Sequence, residues 1–236
     1  MQLFLLLKEE SILKKHFINA CLSVFLFSFD LFGSEALIFF KEFCLHPGEV
    51  GAIAATSSYT GDELCHYITF GSEKKKQGLR ILEIGGGCGN VSKIISGHMR
   101  EADQLDIIEI NPDFCQKIEK KVSGKPNVSV QCCSILDWQP SEKYDLIIST
   151  LPFNSFSYPF FLDVFAHICS LGAVDVVFSY VEYVGLGQVK DLFLRDKDVK
   201  QIKEFLKTQH ENKNIRTETV WLNLPPIQIY HLKINE

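Results

Sequence analysis

Residues able to do chemistry fall in three places. The first is Glu83-Ile84-Gly85-Gly86-Gly87-Cys88-Gly89-Asn90, a glycine loop led by an acid. Glycines there permit a tight turn and let backbone approach a ligand without Cβ clashes. The spacing is not a clean G-x-G-x-x-G: the sixth position is Asn90 counted from Gly85 and Ser92 counted from Gly87. Nor is it a P-loop, because no Gly-Lys-Ser/Thr follows. The second place is Glu109, 24 residues after Gly85. A carboxylate at that spacing sits at the end of the neighbouring strand, where it accepts hydrogen bonds from ribose hydroxyls. The third is Ser149-Thr150-Leu151-Pro152-Phe153-Asn154. Pro152 fixes a rigid turn, and Phe153 is suited to flank a flat or cationic group. Alone, the loop is equally a structural turn and Glu109 equally a solvated acid. Together they point to a bound ligand.

The elements that position these residues are short. Leu79–Ile84 is an apolar strand running straight into the glycine loop, and a helical pattern continues through Met99. Gln104–Ile110 is the next strand. Pro112 suits the first turn of a helix that runs to about Val122. Asn127–Gln131 and Lys143–Ser149 are further strands, and Arg216–Leu222 with Ile227–Lys233 reads as an antiparallel hairpin. Strands alternating with helices predict a doubly wound α/β sheet. Upstream, Ala36, Phe39, Phe40, Phe43 and Cys44 form a helical stripe. Thr60-Gly61-Asp62-Glu63 has capping-box spacing and opens a helix to about Phe70.

The chain has 236 residues and a net charge of −5, so a strongly basic nucleic-acid footprint is absent at whole-chain level. Its eight cysteines form no C-x-x-C pair and complete no zinc spacing, so no metal is expected. Scattered in apolar runs, they suit a reducing compartment. Phe is frequent at 19, and many lie in the first 45 residues. The run Phe17–Phe29 makes a helix roughly 20 Å long, against a bilayer core of about 30 Å. It reads as a helix packed on the domain or a partner, a helix lying in a membrane interface, or a signal peptide. Three segments follow: an apolar extension over 1–34, a helical lid over 35–78 and a ligand-binding domain over 79–236.

As a set, Glu83–Asn90, Glu109 and Asp145–Phe153 resemble the motif series of class I S-adenosylmethionine-dependent methyltransferases. The resemblance implies a seven-stranded, mostly parallel Rossmann-like sheet with an N-terminal helical extension. It implies that Glu83, Gly85, Gly86, Gly87 and Gly89 face the methionine part of the cofactor. Glu109 with Ile110 would face the ribose, and the segment after the third strand the adenine. There the usual acid appears as Ser134, so Ser134, Ile135, Asp137 or backbone would hold the base. Ser58 and Thr150 complete the implied cofactor set.

The segment Ser149–Asn154 resembles two families. Adenine N6 methyltransferases of rRNA carry Asn-Leu-Pro-Tyr/Phe here, and Thr150 cannot present the paired donor and acceptor of that amide. Bacterial phospholipid N-methyltransferases carry Ser-Gly-Leu-Pro, matched at Ser149, Leu151 and Pro152. Phe39–Ser58 and Val220–Pro226 also resemble the latter family. The implied reaction is attack by a neutral amine, freed of its proton by partial burial and aligned with an activated methyl. Thr150, Pro152, Phe153 and Tyr180 are the catalytic candidates, with hydroxyls of Ser58, Tyr59 and Tyr180 orienting the amine. Tyr180 reads equally as a packing residue. The expected partner is an amine-bearing phospholipid at the inner membrane face of the cytoplasm. RNA is the alternative acceptor, and a non-catalytic binding module is the third reading.

Overall fold

The computed structural model describes residues 58–69, 78–183, 197–221 and 227–235. The expected extension over 1–34, the stripe Ala36–Cys44, the Phe39–Ser57 stretch and the Leu222–Pro226 step lie outside the described residues.

In chain order the elements are α1 (Ser58–Leu64), β1 (Arg80–Ile84), α2 (Asn90–His98), β2 (Gln104–Glu109), α3 (Pro112–Lys121) and β3 (Val128–Cys132). Then come β4 (Tyr144–Ser149), α4 (Tyr158–Leu171), β5 (Gly172–Tyr183), α5 (Lys197–Lys213), β6 (Asn214–Val220) and β7 (Ile227–Lys233). The sheet has seven strands in the order β3-β2-β1-β4-β5-β7-β6. β1 to β5 pair in parallel, and β7 runs antiparallel to both β5 and β6. The doubly wound sheet with a closing hairpin is therefore as expected.

The central strands β1 and β4 are largely apolar because helices cover both faces. On one face Leu82, Ile84, Ile147, Phe178 and Tyr180 pack with Phe161, Phe165 and Ile168 of α4 and Ile202 and Leu206 of α5. On the other, Ile81, Ile107, Ile148 and Ile229 pack with Leu64 of α1, Ile95 of α2 and Ile118 of α3. The sheet is pinned inside by Tyr144, whose hydroxyl donates to Asp106 at 2.7 Å and accepts from Trp138 Nε1 at 2.9 Å.

Two departures have local causes. Thr60 does not open its helix. α1 begins at Ser58, breaks at Cys65 and resumes as helical backbone at 66–69. Thr60 is buried in the first turn, and Glu63 reaches across to Arg216 on β6, 2.8 Å away, instead of back to its own helix start. β5 also carries an irregularity: Tyr144 pairs with Gly172, but Leu146 pairs with Val177. Asp175 takes up the slack at a φ of 65°, and its N–H donates to the Asn235 carbonyl at 2.8 Å. Sequence periodicity has no signature for such an insertion.

On β7, His231 is fully buried. Its Nδ1 meets the Ser179 hydroxyl at 2.7 Å, and among the described residues its Nε2 has no hydrogen-bond partner. Burial, followed by the charges of His66 and Arg216, pushes the imidazole down to about 4. Burial does the same for His210, again to about 4. An unfolded histidine titrates near 6.5, so between about 6.5 and 4 the unfolded chain binds the extra protons. Stability must fall as pH drops through that window. The urea midpoint followed by circular dichroism should show this fall, and His231→Gln should make it shallower.

Candidate functional site

The crevice sits where the strand order reverses, at the carboxyl ends of β1 and β4 with β2 alongside. In an open parallel sheet this is where neighbouring loops part and leave room for a ligand. The glycine loop is fixed there from both sides. The Gly85 N–H donates to the Ile108 carbonyl at 2.8 Å, and the Gly85 carbonyl accepts the Thr150 hydroxyl at 2.6 Å. The Thr150 N–H donates to the Ile84 carbonyl at 3.1 Å.

Gly85 has a φ of 79°, which a side chain rarely tolerates, and a Cβ there would lie 3.0 Å from Leu151 Cδ2. At Gly86 a Cβ would meet Ile118 Cδ1 at 2.7 Å and Ile107 Cγ2 at 2.8 Å. The loop thus rests directly on the apolar floor made by β2 and α3.

Glu109 closes the arrangement. Its Oε2 accepts the Gly87 N–H at 2.8 Å, and its Oε1 accepts the Asn111 N–H at 2.9 Å. Asn111 in turn caps α3: its side-chain oxygen accepts from the Asp113 and Phe114 N–H groups, and Pro112 opens the first turn. Each carboxylate oxygen has about two acceptor positions, so both keep capacity for an incoming hydroxyl. Beside it Ile110 is 67% exposed, an apolar side chain held at the mouth.

Glu83 lies beneath the loop and is fully buried. Among the described residues neither carboxylate oxygen has a hydrogen-bond partner. Burial pushes its carboxyl up to about 8; the neighbouring Ser92 hydroxyl pulls it down, and Glu109 raises it further.

One strand further, β3 ends level with Glu109, which registers against Cys132. Ser134 then caps a 3-10 turn over Ile135–Asp137, its hydroxyl accepting the Leu136 N–H at 3.3 Å. Ile135 is buried and Asp137 exposed. Thus Glu83, Gly85, Gly86, Gly87, Gly89, Glu109, Ile110 and Thr150 converge on adjoining strand ends, with Ser134, Ile135 and Asp137 beside them. Ser58 is the first residue of α1, and its side chain lies outside the described set.

Two expectations are corrected. Phe153 does not flank the crevice: it starts a 3-10 turn, is 3% exposed, and packs edge-on to Phe156 and Phe161. Apolar burial claims the ring, and Pro152 stays half-buried in the turn ahead of it. Tyr180 does not hold its hydroxyl ready to orient an amine. It is fully buried, and that hydroxyl meets Glu182 and His210. Glu182 and His210 escaped sequence reasoning. Glu182 alternates with Tyr180 on β5, but His210 lies 30 residues from Tyr180 with no motif linking them.

Comparison with known proteins fits this geometry. Residues 81–184 match the family described as "Methyltransferase domain". Residues 81–184 are a methyltransferase domain. Over 153 residues the chain is 21% identical to the ornithine lipid N-methyltransferase of Singulisphaera acidiphila, covering 62% of this chain and 77% of that one. Over 79 residues it is 30% identical to the tRNA1(Val) (adenine(37)-N6)-methyltransferase of Enterobacter sp. (strain 638), covering 31% of this chain and 32% of that relative. The chain therefore spans about a third of the tRNA enzyme's length. The N-methyltransferase NodS from Bradyrhizobium japonicum WM9, solved with S-adenosyl-L-homocysteine, superposes with a TM-score of 0.58 at 12% identity, covering 86% of this chain and 100% of that one. The methyltransferase domain thus has the class I S-adenosylmethionine-dependent fold. Among the described residues no helix is long and apolar enough to cross a membrane, and no group of side chains is arranged to hold a metal ion.

The orphaned Glu83 carboxyl makes a prediction. An unfolded Glu titrates near 4.5 and the folded one near 8, so the native state holds the extra proton between those values. Its burial cost therefore grows as pH rises from about 4.5 to 8. Glu83→Gln should raise the stability of the ligand-free methyltransferase domain by about 1–2 kcal/mol at pH 7–8, after the cost of burying an unpaired amide. The gain should disappear near pH 4.5. Thermal unfolding at both pH values measures it.

Proposed function

We propose that the protein is an S-adenosylmethionine-dependent N-methyltransferase whose acceptor is the primary amine of a membrane-lipid headgroup. The observation that carries the choice of acceptor is the state of Thr150. Its hydroxyl hydrogen is committed to the Gly85 carbonyl, and it is 3% exposed. An adenine edge needs a donor and an acceptor side by side, and this position supplies no such pair. A simple amine needs only orientation and desolvation. The ornithine lipid N-methyltransferase, matched over 77% of its length, supports the same choice.

The residues present fit the cofactor. A Cβ at Gly85 would press on Leu151 and one at Gly86 on the Ile107–Ile118 floor, so glycine is what lets the loop backbone sit this low at the strand ends. The unpartnered Glu83 carboxyl supplies polarity beneath the loop, and the spare lone pairs of Glu109 suit ribose hydroxyls. Ile110 offers an apolar surface beside them, and Ser134, Ile135 and Asp137 flank the adenine side. When bound, S-adenosylmethionine supplies a methyl group already activated by its sulfonium. The protein's own part is to hold the acceptor in line, exclude water and let the amine reach its neutral form. The rigid turn at Pro152 sets the wall against which that nitrogen is held.

Purified protein incubated with S-adenosylmethionine and phosphatidylethanolamine vesicles should yield headgroups heavier by one to three methyl groups, read by lipid mass spectrometry. Transfer to tRNA instead, with the lipids unchanged, would replace this acceptor with an adenine. Glu109→Ala should weaken S-adenosylmethionine binding at least about tenfold by calorimetry, through loss of charge-assisted hydrogen bonds and of the loop's anchor. Unchanged affinity would remove Glu109 from the site.

A further inference from the structure

A polar cluster stands on the other side of β4 from the glycine loop. In the parallel register Ser149 pairs with Tyr180. Glu182, two residues on, is therefore level with Leu151, where β4 has already turned away toward Pro152. Neighbouring strands are about 4.8 Å apart. Glu182 thus stands at the lip of the crevice, one strand spacing from the turn that walls the acceptor side. Phe153 ties the two together, its ring centroid 5.7 Å from that of Tyr180.

The cluster's hydrogen bonds have a direction. The Tyr180 hydroxyl donates to Glu182 Oε1 at 3.2 Å. His210 Nε2 meets the same hydroxyl, so with Tyr180 donating onward the imidazole N–H donates to the phenol oxygen. Burial keeps His210 neutral, which preserves this polarity. The His210 ring is locked by stacking on Tyr230 at 3.9 Å and 12°. Tyr230 donates at 2.8 Å to Gln228 on β7, which pairs with Glu182 of β5. Among the described residues, Glu182 Oε2 receives no hydrogen bond. Burial raises the Glu182 carboxyl, while Tyr180 and the charge of Lys203 on α5 lower it. A half-buried carboxylate oriented through one oxygen and open at the other is chemically matched to an ammonium group.

We propose that Glu182 is the subsite for the acceptor's ammonium and takes its proton, with Tyr180 and His210 as positioning residues. This rests on the amine reading of the acceptor. The substrate enters as R–NH3+ against the Glu182 carboxylate. One N–H bond breaks, its electron pair stays on nitrogen, and the proton becomes the O–H of the Glu182 carboxylic acid. The neutral R–NH2 then has the lone pair that methylation needs. The proton passes to water before the next round, and a fully methylated product has no N–H left to give.

The test compares wild type with Glu182→Gln and Tyr180→Phe on phosphatidylethanolamine vesicles. Glu182→Gln should lower kcat/KM by about 100-fold and abolish the acidic limb of the pH–rate profile. S-adenosylmethionine affinity by calorimetry should stay within about twofold, since the cofactor side is untouched. Tyr180→Phe removes one bond to the carboxylate, so the acidic limb should move to higher pH while the fold holds. A purely structural role would lower activity without moving that limb. Active wild type with Glu182→Gln equal to it at every pH overturns the subsite and leaves the amine reading intact. Wild type that binds S-adenosylmethionine yet methylates no lipid amine overturns the amine reading, and the subsite with it.

Discussion

The carboxylate of Glu109 holds the crevice together. It accepts a backbone N–H from the glycine loop through one oxygen and the Asn111 N–H through the other. A glycine loop with several positive-φ residues has many accessible conformations, and each must be given up on folding. A charged acceptor that grips the loop at Gly87 reduces that freedom more than a neutral one would. The same carboxylate is tied to the start of α3 through Asn111, whose side chain caps that helix. Loop, strand end and helix start are therefore one mechanical unit. Its floor is the apolar contact of Gly86 with Ile107 and Ile118. The geometry needs both the hydrogen bonds above and the packing below.

Much of this was legible in the sequence, and the reason is local. The glycine loop, Glu109 and the strand-to-turn step at Ser149–Pro152 each depend on residues within a few positions, and parallel pairing brings them together once the strand order is set. The strands were readable because apolar runs bounded by turns mark β1 and β4. What escaped depends on distant partners. Phe153 looked available because an aromatic after a proline turn carries no mark of which way it faces. Phe161 of α4 and Phe178 and Tyr180 of β5, with Phe156, decide that it faces inward. Tyr180 looked like a hydroxyl near the reaction, but its direction is set by His210 on a helix that no local pattern connects to β5. The capping-box spacing at Thr60 was overridden because Glu63 gains an arginine partner across the fold.

The sheet divides the work along its width. β1, β2 and β3 carry the loop, Glu109 and the Ser134–Asp137 turn on one side of the reversal. β4 and β5 carry Thr150, Pro152 and the Tyr180–Glu182 pair on the other. Among the described residues the two sets meet along the β1–β4 ladder and, at its carboxyl end, at the bonds from Thr150 to Ile84 and Gly85. A substitution on either side can thus alter one set of contacts and leave the other standing, which suits a fold that serves unrelated acceptors.

The ion pair between Glu63 and Arg216 joins residues 153 positions apart. On a ribosome α1 emerges long before β6 exists. Its Leu64, with Cys65 and Ile68 just after it, rests against a sheet face that includes Val220, Ile227 and Ile229. That part of its seat appears only when the final hairpin has been made and paired. Docking of α1 is thus a late event in assembly, delayed by synthesis and by the entropy of closing a long loop. Until then this greasy segment has no complete resting place in its own chain, and its protection during that interval falls to whatever else is near the nascent protein.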